Sequence, residues 1–223
     1  MAHVVDLTQP LGPRTALWPG SSPFAATTTR VMERDGFYAR TITLPEHSGT
    51  HFDAPAHFAP GGERAHEIPA ERLVVPCAVI DVSAECEDDP DYTLDAARVE
   101  RDEAEHGRLA EGGALLLRTG WDRFLGDPER YVDSMRFPGF GPDAAELALD
   151  RGCVGLGTDT LSIDPARDEG VPVHHIALTA GIWQLEGLVN LGELPPRGAT
   201  LIVGALKLVD GSGTPARVMA LIG

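Results

Sequence analysis

The stretch EHSGTHFDAPAHF (46–58) holds three of the chain's eight histidines, an aspartate and a glycine, with Pro45 just ahead of it and Pro55 inside it. Proline and glycine at these positions forbid a regular helix through the segment. The run before it, YARTITL (38–44), reads as a strand, so the stretch is expected to be a loop or irregular turn leaving a strand end. Loops of this kind, seated on a rigid sheet, commonly carry functional side chains. His47, His51 and Asp53 are candidate metal ligands: four residues, then two, separate them, and a turning loop can converge all three. Gly49 would let the backbone bend close to an ion. Imidazole and carboxylate without thiolate suit zinc, manganese or iron(II) rather than a structural cysteine–zinc site. His57, six residues past His51, is either a further ligand or a proton-transfer group, because imidazole titrates near neutrality.

Working outward, short apolar runs bounded by Gly, Pro or Asp predict strands at 3–7, 77–82, 114–119, 153–158, 199–209 and 216–222. Two stretches predict helices. TLDAARVERDEAEHGRLAEGG (93–113) opens at a possible N-cap, Thr93, and stops at Gly112-Gly113. PDAAELALDRG (142–152) opens with Pro142 and ends at Gly152. ECEDDPD (85–91) reads as an acidic turn. Strands outnumber helices, which predicts an α/β or α+β domain with a mixed sheet; with no repeat or linker, residues 1–223 are expected to form one domain.

A site closed around an ion needs ligands from elsewhere. VPVHHIALTAGIWQLEGLVNL (171–191) offers His174, His175 and Glu186. Adjacent residues of a strand face opposite ways, so one of the two histidines is expected to face the ion. Glu186 sits in an apolar segment, where a carboxylate needs a partner. Asp159 and Asp164 are candidates to orient ligands or to cap turns, and Trp183 is a core or supporting residue.

Composition narrows the function classes. The formal net charge is −16 with a single lysine, Lys207, the wrong sign for nucleic acid or an anionic membrane surface. No apolar run is long enough to span a bilayer, and the N-terminal residues show no signal-peptide pattern, so a cytoplasmic location is expected. Three scattered cysteines, Cys77, Cys86 and Cys153, do not form a disulfide framework.

HSGTHFDAPAHF (47–58) resembles the H-x-G-T-H-x-D-x-P-x-H-F signature of the cyclase family, which includes bacterial kynurenine formamidases (arylformamidases) and isatin hydrolases. The resemblance extends through LWPGSSPF (17–24), GLGTDTLSIDP (155–165) and the C-terminal stretch 189–221. It implies a compact α/β domain with a mixed, barrel-like β-sheet and flanking helices, of swivelling β/β/α type, in dimers or tetramers. It also implies one or two divalent ions per subunit, Zn²⁺ or Mn²⁺, held by His47, His51, Asp53, His174 and Glu186, with Asp53 shared where two are present. By the same resemblance His57 transfers protons and Trp18 contacts the substrate. Two features depart from the formamidase pattern: Ser21 replaces an aspartate after Trp-Pro-Gly, and the tail GSGTPARV (211–218) is closer to the broader group.

The expected activity is metal-dependent hydrolysis of a C–N amide bond, other than a peptide, in an aryl formamide or cyclic amide. Water activated by the ion would attack the carbonyl, with His57 as general acid/base. The alternative is a metal-dependent lyase, dehydratase or cyclase that moves a proton through an enolate. A purely structural metal site is a third reading, disfavoured by the number of candidate ligands with His57 beside them.

Overall fold

The computed structural model describes residues 3–132 and 135–223. Among these residues twelve strands are formed: β1 (His3–Asp6), β2 (Ala25–Arg30), β3 (Ala39–Thr43), β4 (His51–Asp53), β5 (Val74–Asp81), β6 (Thr93–Leu94), β7 (Ala114–Arg118), β8 (Gly139–Phe140), β9 (Gly155–Thr158), β10 (Trp183–Glu186), β11 (Ala199–Ala205) and β12 (Gly213–Ile222). Six α-helices accompany them: α1 (Met32–Asp35), α2 (Ser83–Asp88), α3 (Ala96–His106), α4 (Pro128–Val132), α5 (Pro142–Asp150) and α6 (Pro172–Thr179).

Seven strands close into a barrel in the order β12-β11-β5-β7-β9-β10-β4 and back to β12, with β1 paired to the far half of β12. The β5–β7, β7–β9 and β9–β10 pairings are parallel and the others antiparallel, so the sheet is mixed. The parallel strands are buried on both faces, which is why β5 and β7 read as continuous apolar runs. Val75, Cys77, Val79 and Leu116 face one cluster with Trp183, Leu185, Leu201 and Val218, the barrel interior. Ala78, Ile80, Leu115 and Leu117 face the other, covered by Val99 of α3, Ala144, Ala145 and Ala148 of α5 and Ala177 of α6. Trp183 fills the barrel because Gly155 leaves room: a Cβ there would lie 2.2 Å from the indole ring.

The predicted strands all form, with several revisions. The strand expected at 38–44 is β3, but it pairs only with β2 in a separate hairpin, and the stretch after it is not merely a loop, since its centre enters the barrel as β4. Helix α3 opens at Ala96 rather than at Thr93, because the Asp95 carboxylate accepts the Arg98 backbone N–H at 2.7 Å; it ends at His106, with Gly107 at φ 93°. ECEDDPD is partly helical, as α2. His174 and His175 lie on a helix, α6, not on a strand; Pro172 opens it and its apolar face packs on α5. Helix α5 opens with Pro142 as expected. The three cysteines are buried and free.

Candidate metal centre

Period-two alternation along β4 sends Phe52 into the barrel and turns His51 and Asp53 together to the outer face. The antiparallel register sets Glu186 of β10 opposite His51 and Gln184 opposite Asp53. On the other side, Gly213 of β12 stands opposite Asp53, and the missing side chain is essential: a Cβ at Gly213 would lie 2.5 Å from His47 Cε1. His47 comes from the turn before β4, where Gly49 takes a left-handed φ of 61° and a Cβ would meet Leu11 Cδ2 at 2.5 Å. Thr50 Oγ1 ties this turn to β10 by donating to the Gly187 carbonyl. Helix α6 then lays His174 over the same face. His174 is buried and His175 exposed, as helical neighbours about 100° apart must be.

Five side chains predicted from sequence thus converge. His51 Nε2 lies 3.4 Å from Asp53 Oδ1 and 3.3 Å from Glu186 Oε2. His174 Nε2 lies 3.2 Å from Glu186 Oε1 and 3.8 Å from Asp53 Oδ2. His47 Nδ1 lies 2.6 Å from Asp53 Oδ1. The donors form two groups, His47–His51–Asp53 and Asp53–His174–Glu186, joined at Asp53.

The donor set fits a divalent cation. Asp53 Oδ2 is buried without a hydrogen-bond partner, an orphaned acceptor that a cation would satisfy. Two imidazoles are fixed in the tautomer a metal ligand needs. The His51 Nδ1–H donates to the Gly49 carbonyl at 2.9 Å and the His174 Nδ1–H to Asp164 at 2.6 Å, which turns each Nε2 lone pair inward. Electrostatics point the same way. Burial would push the His51 imidazole down, yet Asp53 and Glu186 hold it well above its usual value; His174, with Asp164 and Glu186 against it, is pushed up to about 10. Burial would raise the Asp53 carboxyl, but His51 and His47 hold it well below the usual carboxylate range, and Glu186 is lowered too, His174 and His51 outweighing burial and Asp53. The pocket therefore demands positive charge, and a bound cation would release protons in supplying it.

The centre forms the floor of a cavity of about 380 Å³. His57, on a short turn at Pro55–His57, lines its wall, its ring stacked on His47 at 4.0 Å between centroids. Burial, with His47 and His174 nearby, lowers the His57 imidazole to about 4. Trp18 stands at the rim, 46% exposed. Trp121 and Trp183 are buried in the core.

Asp164 orients His174 and caps α6 by accepting the Val173 and His174 backbone N–H groups, so both roles considered for it apply. Asp159 is structural: it accepts from the Thr119 hydroxyl and the Thr119, Gly120 and Trp121 backbone N–H groups. Three lining residues carried no sequence signal strong enough to single them out. Phe58 lies inside the quoted signature, whereas Leu161 and Val171 are ordinary apolar residues placed by the chain's return path. Val171 adopts φ 40° at the start of α6.

Comparison with known proteins agrees with this architecture. The family model described as "Putative cyclase" matches residues 5–165. An isatin hydrolase of Roseibium aggregatum is 36% identical, covering 99% of this chain and 92% of the relative. A kynurenine formamidase of Salinibacter ruber is 31% identical over 97% and 96%. A crystal structure of an isatin hydrolase bound to the product analogue thioisatinate superposes with a TM-score of 0.95, at 33% identity, covering 99% of this chain and 92% of that one. With a model match over more than half its length and relatives above 30% identity along nearly all of it, the chain belongs to the cyclase family.

Proposed function

We propose that the chain is a metal-dependent amidohydrolase that cleaves the C–N bond of a cyclic or aryl amide with water. The observation that carries this is the buried centre at the floor of the cavity, where three imidazoles and two carboxylates converge and one carboxylate oxygen is left unpartnered. His47, His51, Asp53, His174 and Glu186 would hold one or two ions, with Asp53 common to both donor groups. The nitrogen and oxygen donor set suits Zn²⁺ or Mn²⁺. When bound, such a cation acidifies a water molecule and polarises an amide carbonyl.

The chain's own residues do the rest. His57, neutral near pH 7 because burial lowers it, takes a proton from the attacking water. It then returns that proton to the departing nitrogen, so one imidazole acts as base and acid in turn. Trp18, Phe58 and Leu161 give the cavity flat, apolar walls suited to an aryl ring. Among the described residues lining it there is no lysine or arginine. That lining favours a neutral ring-fused amide over a substrate bearing an amino-acid carboxylate, and the isatin hydrolase relative supports the same choice.

The exposed β2–β3 hairpin, with Met32, Phe37, Tyr38 and Ile42 more than half exposed, supports a homo-oligomer, a dimer or tetramer of one-domain subunits. No helix among the described residues is long and apolar enough to cross a membrane. The test is metal analysis of the purified protein coupled to turnover of isatin and N-formylkynurenine in oxygen-18 water. One labelled oxygen in the product, abolished by chelation, is expected. Turnover without label would replace hydrolysis by the lyase reading, and a metal-free protein of full activity would overturn the proposal.

A further inference from the structure

His47 differs from the other two imidazoles. Its Nε2 points away from the centre, 3.1 Å from Ser212 Oγ, and its Nδ1 points in, 2.6 Å from Asp53 Oδ1. Ser212 Oγ lies 2.8 Å from Glu46 Oε2, which also accepts the Ser212 backbone N–H at 2.9 Å and the Gly213 N–H at 3.3 Å. An ionised carboxylate only accepts, so the single hydroxyl proton of Ser212 goes to Glu46. Ser212 Oγ is then left as an acceptor, and the hydrogen it accepts is the one on His47 Nε2. Asp53 Oδ1 also only accepts, so His47 Nδ1 must meet it across a positive charge, a proton or a metal cation.

We infer that Glu46 and Ser212 form a relay that positions His47, holding Nε2–H outward and presenting Nδ1 to the metal centre. His47 would bind through Nδ1, opposite to His51 and His174, whose Nδ1–H groups are committed to Gly49 and Asp164. Glu46 precedes the signature stretch and Ser212 lies in the tail that departs from the formamidase pattern, so the relay joins two segments 166 residues apart. Neither side chain is a metal ligand; both are positioning residues. The inference rests on the proposed metal centre only for its energetic consequence.

The test has two readouts besides activity. Zinc affinity is measured by competition with a chromophoric chelator on the wild type, Ser212→Ala, Ser212→Thr and Glu46→Gln. Ser212→Ala keeps the backbone N–H groups to Glu46 and should fold. It is expected to bind zinc roughly 10–100-fold more weakly, the usual consequence of removing a group that orients a ligand, with Ser212→Thr restoring most of the loss. Nitrogen-15 histidine NMR should show the His47 hydrogen on Nε2, and those of His51 and His174 on Nδ1, in the zinc-bound wild type. The Nε2–H of His47 should persist without zinc and weaken in Ser212→Ala. Affinity within about twofold of wild type in Ser212→Ala, or a His47 hydrogen on Nδ1 alone, would overturn the relay. A wild type that binds neither zinc nor manganese yet keeps the Nε2–H would retract the hydrolase reading and leave the relay standing.

Discussion

Asp53 is the residue on which the centre turns. It belongs to both donor groups, is 1% exposed, and keeps one oxygen without a partner. Replacing it by alanine should remove bound metal and activity together, as metal analysis of the purified variant would register. His57 should behave differently: it lines the cavity without joining either donor group. His57→Ala is expected to lower kcat by about 10²–10⁴-fold while metal content stays at the wild-type level. The sign of its pH dependence follows from burial. With its value lowered to about 4, the base form of His57 is present above that pH and is lost as pH falls through it, so this limb of kcat/KM should lie near pH 4 and vanish in His57→Ala. These residues were legible in sequence because metal chemistry restricts residue type and spacing at once. Phe58, Leu161 and Val171 were not, since an apolar wall imposes only size and shape.

Strands and helices were legible to different degrees for identifiable reasons. β5 and β7 announce themselves because strands buried largely on both faces must be mostly apolar. β4 has three residues, two of them the polar candidate ligands His51 and Asp53, so pattern alone marks it as a loop. Helix α6 opens with VPVHH, where two valines and adjacent histidines suggest a strand, and tertiary packing on α5 overrides that preference. Strand register also predicts a mutational effect. Gly213 faces Asp53 across β12 and β4 and leaves the space that His47 occupies, so Gly213→Ala should displace His47 and weaken metal binding more than it lowers the melting temperature. Isothermal titration against Zn²⁺ beside a thermal melt separates the two. Between helices, Arg151 just past α5 holds Glu103 of α3 in a paired contact at 2.9 Å, and that hydrogen bond keeps the Glu103 carboxyl below its usual range. A carboxylate lowered in the folded state contributes stability above its unfolded value and loses it as pH falls through the folded one. Acid melts of Glu103→Gln should therefore show a shallower decline below pH ~4.5 than wild type. The pair is partly exposed, so the difference should be small and should shrink in salt.

At the scale of the molecule, the closed barrel leaves no free edge among its seven strands, and two buried carboxylates sit against its outer wall under α6. Those carboxylates are costly to bury without positive charge beside them, and a cation that binds only the folded state raises stability by mass action. Chelation should lower the melting temperature, and zinc at about 100 times its dissociation constant should restore about 2.7 kcal/mol. Equal melts with and without the ion would argue against the centre. Strand and helix counts point to a mixed sheet in an α/β or α+β domain, whereas the α/β choice and the barrel-like sheet come through the family resemblance. Closure depends on β12 pairing with both β4 and β11, a contact between distant segments that no local pattern encodes.

That same strand has a consequence for how the protein comes into being. The floor of the site is made by residues 51–53, 183–186 and 213–215 lying side by side. A nascent chain whose β12 is still in the ribosomal tunnel holds the histidine-rich turn but not the neighbour that seats it. On the proposed reading, the ion's seat is therefore assembled only when the barrel closes through β12, so metal binding follows closure rather than nucleating it.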